Sequence, residues 1–543
     1  MKKDQYLFRD WVPRWLGILI FILLFVPILF VSGIYTSNST DMASGLGIVP
    51  EHIQYSSIAS AIGITVFAPF MVKYLLIRRP KLVYMAGFTA MTVFSYVCAV
   101  TEYMWLLMLC CFLMGILRII LLFNNLFCMF QYITGNDPMG QFAAGDPSPE
   151  VVDKLDKMKT YVRVPFYLFM LGISLWGSSL TARLAYEYKW QYVYYFMNML
   201  LLIATALVFF TMKYKKNPVA ANLNMKRFGD MVCASLMLLS FCFMAIYGKT
   251  LDWFASDVMR LCLIVFLLSA GVFICLETNT KQSYFHIEIF RRKYVVIAVI
   301  VFFLSMIANS SSVFVNMLMG VAMEADNVKS ANLGNWGFIG YAIGFVCCLL
   351  FTKKDVHIRY VFALGFACML AANVYMYFHF QSEETYENLI FPVILRSLGL
   401  FVFYAMCVTY GIKRMPSRLL TTWAFVLMVS RSVISPTVGA SLYSNWLNER
   451  QQHYVTRLST DMDALNPETN ASYTASLQGA MAQGKSREEA TTMAASSLKN
   501  RIQVQATLAS LKEVCGWTIF YIIGCIVFVL VLPYPKETIK EYG

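Results

Sequence analysis

Charge is what this chain has least of. Asp, Glu, Lys and Arg make up 14% of its 543 residues, where a soluble protein averages roughly 25%. That deficit argues against a water-soluble globule. No G-x-x-x-x-G-K-[ST] loop occurs, so the chain carries no phosphate cradle for ATP of its own. The five histidines, His52, His286, His357, His379 and His453, are dispersed among connecting segments on both sides. A membrane-embedded acyl or glycosyl transferase would need such groups clustered at one face. The fourteen cysteines sit in apolar runs, as at Cys110, Cys111, Cys233, Cys347, Cys348 and Cys525. None forms a CxxC pair or has metal-ligand spacing. They read as small packing residues, and neither metal nor cofactor is expected. No cleavable leader is evident: the first apolar stretch lacks a small-residue cleavage site and is long enough to span a bilayer.

What is present is apolar, 59% of the residues. Runs of about 20 apolar residues match the thickness of a bilayer core. They fall at about 15–35, 55–76, 82–100, 104–127, 165–182, 191–212, 230–248, 258–276, 294–318, 335–352, 360–378, 389–411, 419–443 and 515–533. This predicts an all-α membrane protein with fourteen transmembrane helices, and the lipid bilayer as its first partner. The net charge of +13 does not point to nucleic acid, because of where the charges lie. Alternate connections hold the basic residues: Lys2 to Arg14, Arg78 to Lys81, Lys154 to Lys159, Lys213 to Arg227, Lys281 to Lys293, Lys353 to Arg359, Lys413 to Arg418, and Lys536 with Lys540. The intervening segments hold few: Arg183, Lys189, Lys249, Arg260 and Lys329. The positive-inside rule then places both termini in the cytoplasm of a bacterial cell, with the chain in its inner membrane. Trp11, Trp15, Trp190, Trp253, Trp336, Trp446 and Trp517 lie near span ends, where interfacial belts form. Two connections are long: 135–162, read as cytoplasmic, and 445–514, read as periplasmic. The second half of the latter, from Ser486, has few Gly or Pro and is expected to run as a helix into the last span.

A weak internal repeat divides the chain. Lys81 precedes Gly87 by six residues, as Arg359 precedes Gly365. The fourth span of each half carries an arginine near a glycine, Gly115 with Arg118 and Arg396 with Gly399. This register makes 1–213 and 294–543 two six-helix halves and 214–293 an insertion of two helices. Repeated halves place a transport site at mid-membrane between them.

Several segments are similar to a known family in order and spacing. Trp190-Gln-Tyr-Val-Tyr-Tyr-Phe196 opens the sixth span. Lys249 to Ser256, containing Trp253, forms the turn between the two inserted helices. Glu277 with His286 to Phe290 precedes the ninth span. Ser430-Arg431-Ser-Val-Ile-Ser lies in the thirteenth, and Gln503 to Ala506 comes before the last. Together they resemble the fourteen-helix EmrB/QacA type of drug:proton antiporter in the major facilitator superfamily. The resemblance implies proton-coupled export of small amphipathic compounds. For some Gram-negative members it also implies a periplasmic adaptor and an outer-membrane channel as partners. The chain departs from the pattern in three places. No carboxylate falls at 31–33 in the first span. The basic connection 73–81 lacks its usual Asp. The fifth-span motif reads Gly172-Ile-Ser-Leu-Trp-Gly177.

Polar residues at membrane depth are the candidates for a substrate or proton pathway, since burying them is costly. They are Arg118 and Asn124 in the fourth span, Asn309 and Asn316 in the ninth, Arg396 in the twelfth and Arg431 in the thirteenth. Lys73 is near enough to a span end to snorkel. Asp41, just after the polar run 35–40, is the nearest substitute for the missing first-span acid. Asp41, Glu102, Asp252 and Glu277 all lie at span ends. Two other readings fit the same residues: uptake or exchange of a small anionic solute drawn by the membrane arginines, and a non-transporting assembly or sensor protein of the same fold.

Overall fold

The computed structural model of the chain describes residues 7–73, 79–134, 149–214, 228–279, 284–323, 325–413, 419–460 and 467–535, with Met415 and Met462. The side chains of 71–73, 130, 131, 134, 149–163, 279, 322, 421 and 468 are not described. Residues 135–148 of the first long connection lie outside the described residues. So do Arg78, Lys281, Arg414, Arg418, Lys536 and Lys540, on which part of the charge alternation rests.

Backbone polar groups in lipid must be satisfied within the segment that carries them, which leaves helices as the solution for apolar runs of this length. Among the described residues there is no strand, only an isolated bridge between Phe8 and Met212. The first half comprises α1 (Arg14–Phe30), the short α2 (Ser39–Leu46), α3 (Pro50–Lys73), α4 (Pro80–Val100), α5 (Met104–Thr134), α6 (Pro149–Glu187) and α7 (Trp190–Thr211). The insertion is α8 (Phe228–Tyr247) and α9 (Asp257–Asn279). The second half comprises α10 (Lys293–Asn309), α11 (Ser312–Ala322), α12 (Asn327–Asn335), α13 (Gly337–Lys353), α14 (Ile358–Phe378), α15 (Ile390–Ile412), α16 (Leu420–Met428), α17 (Ser435–Thr460), α18 (Pro467–Ala482) and α19 (Arg487–Val531). Among the described residues, thirteen helical segments are long and apolar enough to cross a membrane, and Arg14–Phe30 is a shorter apolar one. That makes fourteen passes.

The packing repeats between the halves. The second span α3 lies on the fourth, α5, as α13 lies on α15. The third, α4, lies on the sixth, α7, as α14 lies on α19. Glycines let the second and fourth spans come this close. A Cβ at Gly63 would stand 2.2 Å from the Phe112 carbonyl oxygen, and one at Gly340 would stand 2.2 Å from that of Ile394. The glycines of the sequence repeat divide. Gly87 and Gly365 both face the fourth span of their half, against Leu121 and Phe403. Gly115 meets Ser60 of the second span, whereas Gly399 meets Gly365 of the third, so these two are not equivalent in the fold.

The halves meet along two seams, α3 against α16, and α6 against α12 and α13. The inserted α8 covers the first seam. On one side Tyr55 of α3 donates to the Leu239 carbonyl, and His52 bonds the Tyr247 hydroxyl. On the other, Ser441 of α17 donates to the Ala245 carbonyl and Thr437 to the Cys242 sulfur. The segment after α9 repeats the bridge at the face bearing residues 7–13, here called the amino-terminal face. Tyr284 donates to the Val66 carbonyl at 2.6 Å and packs edge-on against Phe425 of α16. Burial, then Asp230 and Glu277, push the Tyr284 phenol well above its ordinary pKa, so it stays a donor. At the same face Lys81 donates to the Phe209 and Met212 carbonyls at the end of α7, where a cation also suits the helix dipole.

Two spans, α6 and α17, run well past their expected bounds, and the last runs in from the long connection as expected. α6 continues through Pro165 and begins at Pro149, well before the expected 165. α17 extends to Thr460 and α19 begins at Arg487, where Ser486 and Glu489 form a reciprocal capping box. With α18 packed on α19, the long connection 445–514 is a helical arm, not a loop. Trp446 packs edge-on against Trp517 at its base, and Arg501 donates to Ser472 further out. Trp190, expected at an interface, is buried against Tyr194.

Candidate functional site

The opening span of each half is broken after seventeen helical residues. α1 carries Pro27, stops at Phe30 and gives way to an extended segment, residues 31–35, before α2. α10 stops at Asn309, and the chain turns through Ser310 and Ser311 before α11. The segment after α1 frees backbone groups that a continuous helix would pair, and these need side-chain partners, whereas at the second interruption the Ser310, Ser311, Val313 and Phe314 amides stay bonded to the Met306, Ala308, Ser310 and Ser311 carbonyls.

At the first break those partners come from α5 and α7. Arg118 donates from Nη2 to the Leu29 carbonyl, one of the last four of α1. Its charge thus sits at a helix C-terminus, the end where a cation is favoured. Tyr194 donates to the Gly33 carbonyl at 2.8 Å, and the Tyr35 hydroxyl accepts from the Ser32 amide at 3.4 Å. Val31, Ile34 and Tyr35 are buried, and a Cβ at Gly33 would overlap Cys111. Asn38, just beyond, is fully buried, yet neither side-chain polar atom meets a protein partner.

The other candidate residues fall in three places. Asn124 is buried in the last third of α5, toward the amino-terminal face, where it donates to the Pro80 carbonyl at 3.4 Å and accepts from Cys128. Its neighbour Asn125 ties Tyr84 to the Phe21 carbonyl. These are interhelical anchors within the first half. Asp41 lies at the opposite face, where Asn327 of α12 donates to its Oδ2 at 3.0 Å and to Thr40 at 2.6 Å. Asp41 is therefore a tie between the halves at their far rim, beside a second one from Ser179 to Asn332. It does not occupy mid-span, where a substitute for the missing acid would be needed. Asn316 is exposed and accepts from Ser330 at 3.5 Å. Asn309 is half-buried at the second break, where a Cβ on Gly439 of the thirteenth span would strike Ser310.

Arg396 and Arg431 form a second constellation, in the second half. Residues 429–434 between α16 and α17 are wound as a π-helix, a form that recurs at functional sites. Arg431 lies in this turn, its guanidinium 4.2 Å from the ring centre of Tyr404 on α15 and 5.9 Å from that of Tyr167 on α6. Tyr404 packs against Phe302 of α10, and Tyr341 of α13 packs against Phe401, three residues before Tyr404 on α15. Arg431 and Tyr404 of the second half thus meet Tyr167 of the first, and Arg396 lies on the same helix as Tyr404. Sequence reasoning picked out the arginines by charge. It did not single out Tyr341 or Tyr404, because tyrosine is common in this chain and its position alone gives no signal.

No protein-family model matches the sequence, and no curated protein does. Solved structures match by shape. The nucleoside transporter NupG aligns over 95% of this chain and 98% of its own, with 10% identity and a TM-score of 0.52. A peptide transporter POT aligns over 94% of each chain, with 10% identity and a TM-score of 0.53. A POT family transporter in complex with a thioalcohol-conjugated peptide covers 80% of this chain and 91% of its own, with 12% identity and a TM-score of 0.53. At such identities the likeness is one of fold. The chain is a multi-pass membrane protein with the major facilitator fold, carrying two helices beyond two six-helix halves.

Proposed function

We propose that the chain is a secondary active transporter that exports small amphipathic compounds, working by alternating access between residues 1–213 and 294–543, with 214–293 as the insertion. The observation that carries this reading is the pair of discontinuous opening spans. Each is interrupted after seventeen helical residues, α1 by a non-helical segment and α10 by a tight turn at Ser310 and Ser311, with polar side chains close to both. Broken helices in matching positions of two repeats are the usual mark of a mid-membrane binding site. The pathway would pass Arg118, Asn309, Arg396 and Arg431, with Asp41 at the far rim. The charge alternation puts the amino-terminal face in the cytoplasm of a bacterial inner membrane. The arm then projects into the periplasm, where it offers a docking surface for an adaptor that leads to an outer-membrane channel. Export and proton coupling come from the EmrB/QacA resemblance. Coupling needs a titrating group in a dry site, and the carboxylate nearest the first broken span is Asp41.

The test is transport in proteoliposomes, with a proton gradient and an electrical potential imposed separately. Efflux of amphipathic dyes accelerated by either gradient supports the reading. Equal dye movement in protein-containing and protein-free vesicles under both gradients would sink it.

A further inference from the structure

Arg396 and Arg431 lie at membrane depth without compensation. A cation at mid-bilayer costs about 2.5–3.5 kcal/mol on insertion scales. Stacking on an aromatic ring returns about 0.5–2 kcal/mol. Neither guanidinium donates a hydrogen bond to any described residue, and both are half-buried in the fold. Arg431 meets ring faces, those of Tyr404 and Tyr167. A ring accepts a cation over its face and leaves the planar N–H fork free at the edge. That fork matches a carboxylate or phosphate. Among the described residues no carboxylate forms an ion pair with either arginine. Between residues 293 and 447 the spans hold no Asp or Glu, and the acidic residues there occupy connections. Arg118 differs, since it already donates to the Leu29 carbonyl.

The geometry points to an oxyanion site. We infer that the transported compound is an amphipathic anion whose carboxylate docks on Arg431, with its apolar body along the Tyr404 and Tyr167 rings. Arg396 serves as a second station. It stands eight residues before Tyr404 on the same helix, about 12 Å along the axis and roughly 80° around it. The inference rests on the transporter reading and names its substrate class. It also accounts for the absent first-span acid. An anion leaving a negative interior is driven by the membrane potential itself, by roughly fiftyfold in concentration per 100 mV. A proton-carrying carboxylate is not required for that step.

The experiment compares one scaffold with three head groups: a naphthyl-alkyl carboxylate, its carboxamide and its amine. Binding is measured by equilibrium dialysis on full-length protein in nanodiscs of zwitterionic lipid. The wild type should bind the carboxylate at least about tenfold more tightly than the other two. Arg431→Gln should bring that ratio close to one. Arg431→Lys, which keeps the charge but loses the fork, should give an intermediate ratio. A ratio taken within one preparation does not depend on how much protein folded. Equal binding of the three compounds by the wild type overturns the inference. So does a preference that survives intact in both Arg431→Gln and Arg396→Gln. A lipid phosphate is the other source of an oxyanion. If adding phosphatidylglycerol to the discs abolishes carboxylate binding, the occupant is a headgroup and the substrate claim fails. Selective binding with no flux of the carboxylate in proteoliposomes would leave the anion site standing and remove the transporter reading instead.

Discussion

A single guanidinium contact decides how Arg118 is to be tested. Its Nη2 reaches the Leu29 carbonyl where α1 ends, and Tyr35 is close by. A hydrogen bond from a charged donor contributes about 1.5–3 kcal/mol, and removing it here strands a buried carbonyl. Arg118→Gln is expected to lower thermal stability by several degrees in detergent. Arg118→Lys should lower it less, because the ammonium can still reach one carbonyl. If Arg118 also handles protons or substrate, Arg118→Lys should further reduce transport per folded molecule. Normal transport per folded molecule in both variants would leave Arg118 a helix cap and nothing more. Asn124 shows what the sequence could and could not reveal at this scale. A polar residue inside an apolar run signals that some partner exists. Whether the partner is a ligand or the Pro80 carbonyl depends on the neighbouring helix, which one sequence does not display.

At the scale of elements, hydrophobic length made the spans legible, and the departures have physical causes. The run 15–35 is apolar throughout, yet its last residues unwind. Residues on other helices, Arg118 and Tyr194, satisfy the freed carbonyls. A composition window counts apolar residues and cannot see that rescue. The ninth span did carry a sign, Asn309-Ser-Ser, which suggested a polar lining and proved to be a break as well. The arm was half legible. The scarcity of Gly and Pro after Ser486 gave the helix into the last span. The extension of α17 to Thr460 runs through Asn, Glu, Arg and Gln, and it owes its order to packing on α19. If the arm docks an adaptor, shortening 461–485 should preserve folding. Replacing the α19 surface at 488–505 with an unrelated helical sequence should then weaken crosslinking to the adaptor. Unchanged crosslinking would remove the docking proposal.

For the molecule as a whole, sidedness follows from charge placement and is open to direct measurement. In a background without reactive native cysteines, an impermeant thiol reagent applied to intact cells should modify Ser476→Cys, on the arm. It should spare Ser148→Cys, which lies outside the described residues. The reverse pattern would invert the topology and every assignment of face built on it. The site was less legible than the fold because it is assembled from both halves: Arg431 and Tyr404 come from one, Tyr167 from the other. The arm has a mechanical consequence. The last span and the arm share one unbroken helix, Arg487–Val531. The 27 residues before Val514 extend it about 40 Å beyond the bilayer at 1.5 Å per residue. A rocking of the second half by about 15°, the size of a known subunit rotation, would swing the tip through about 10 Å. A molecule gripping that tip would feel each transport cycle as a stroke, and by holding it still could arrest the cycle from outside the membrane.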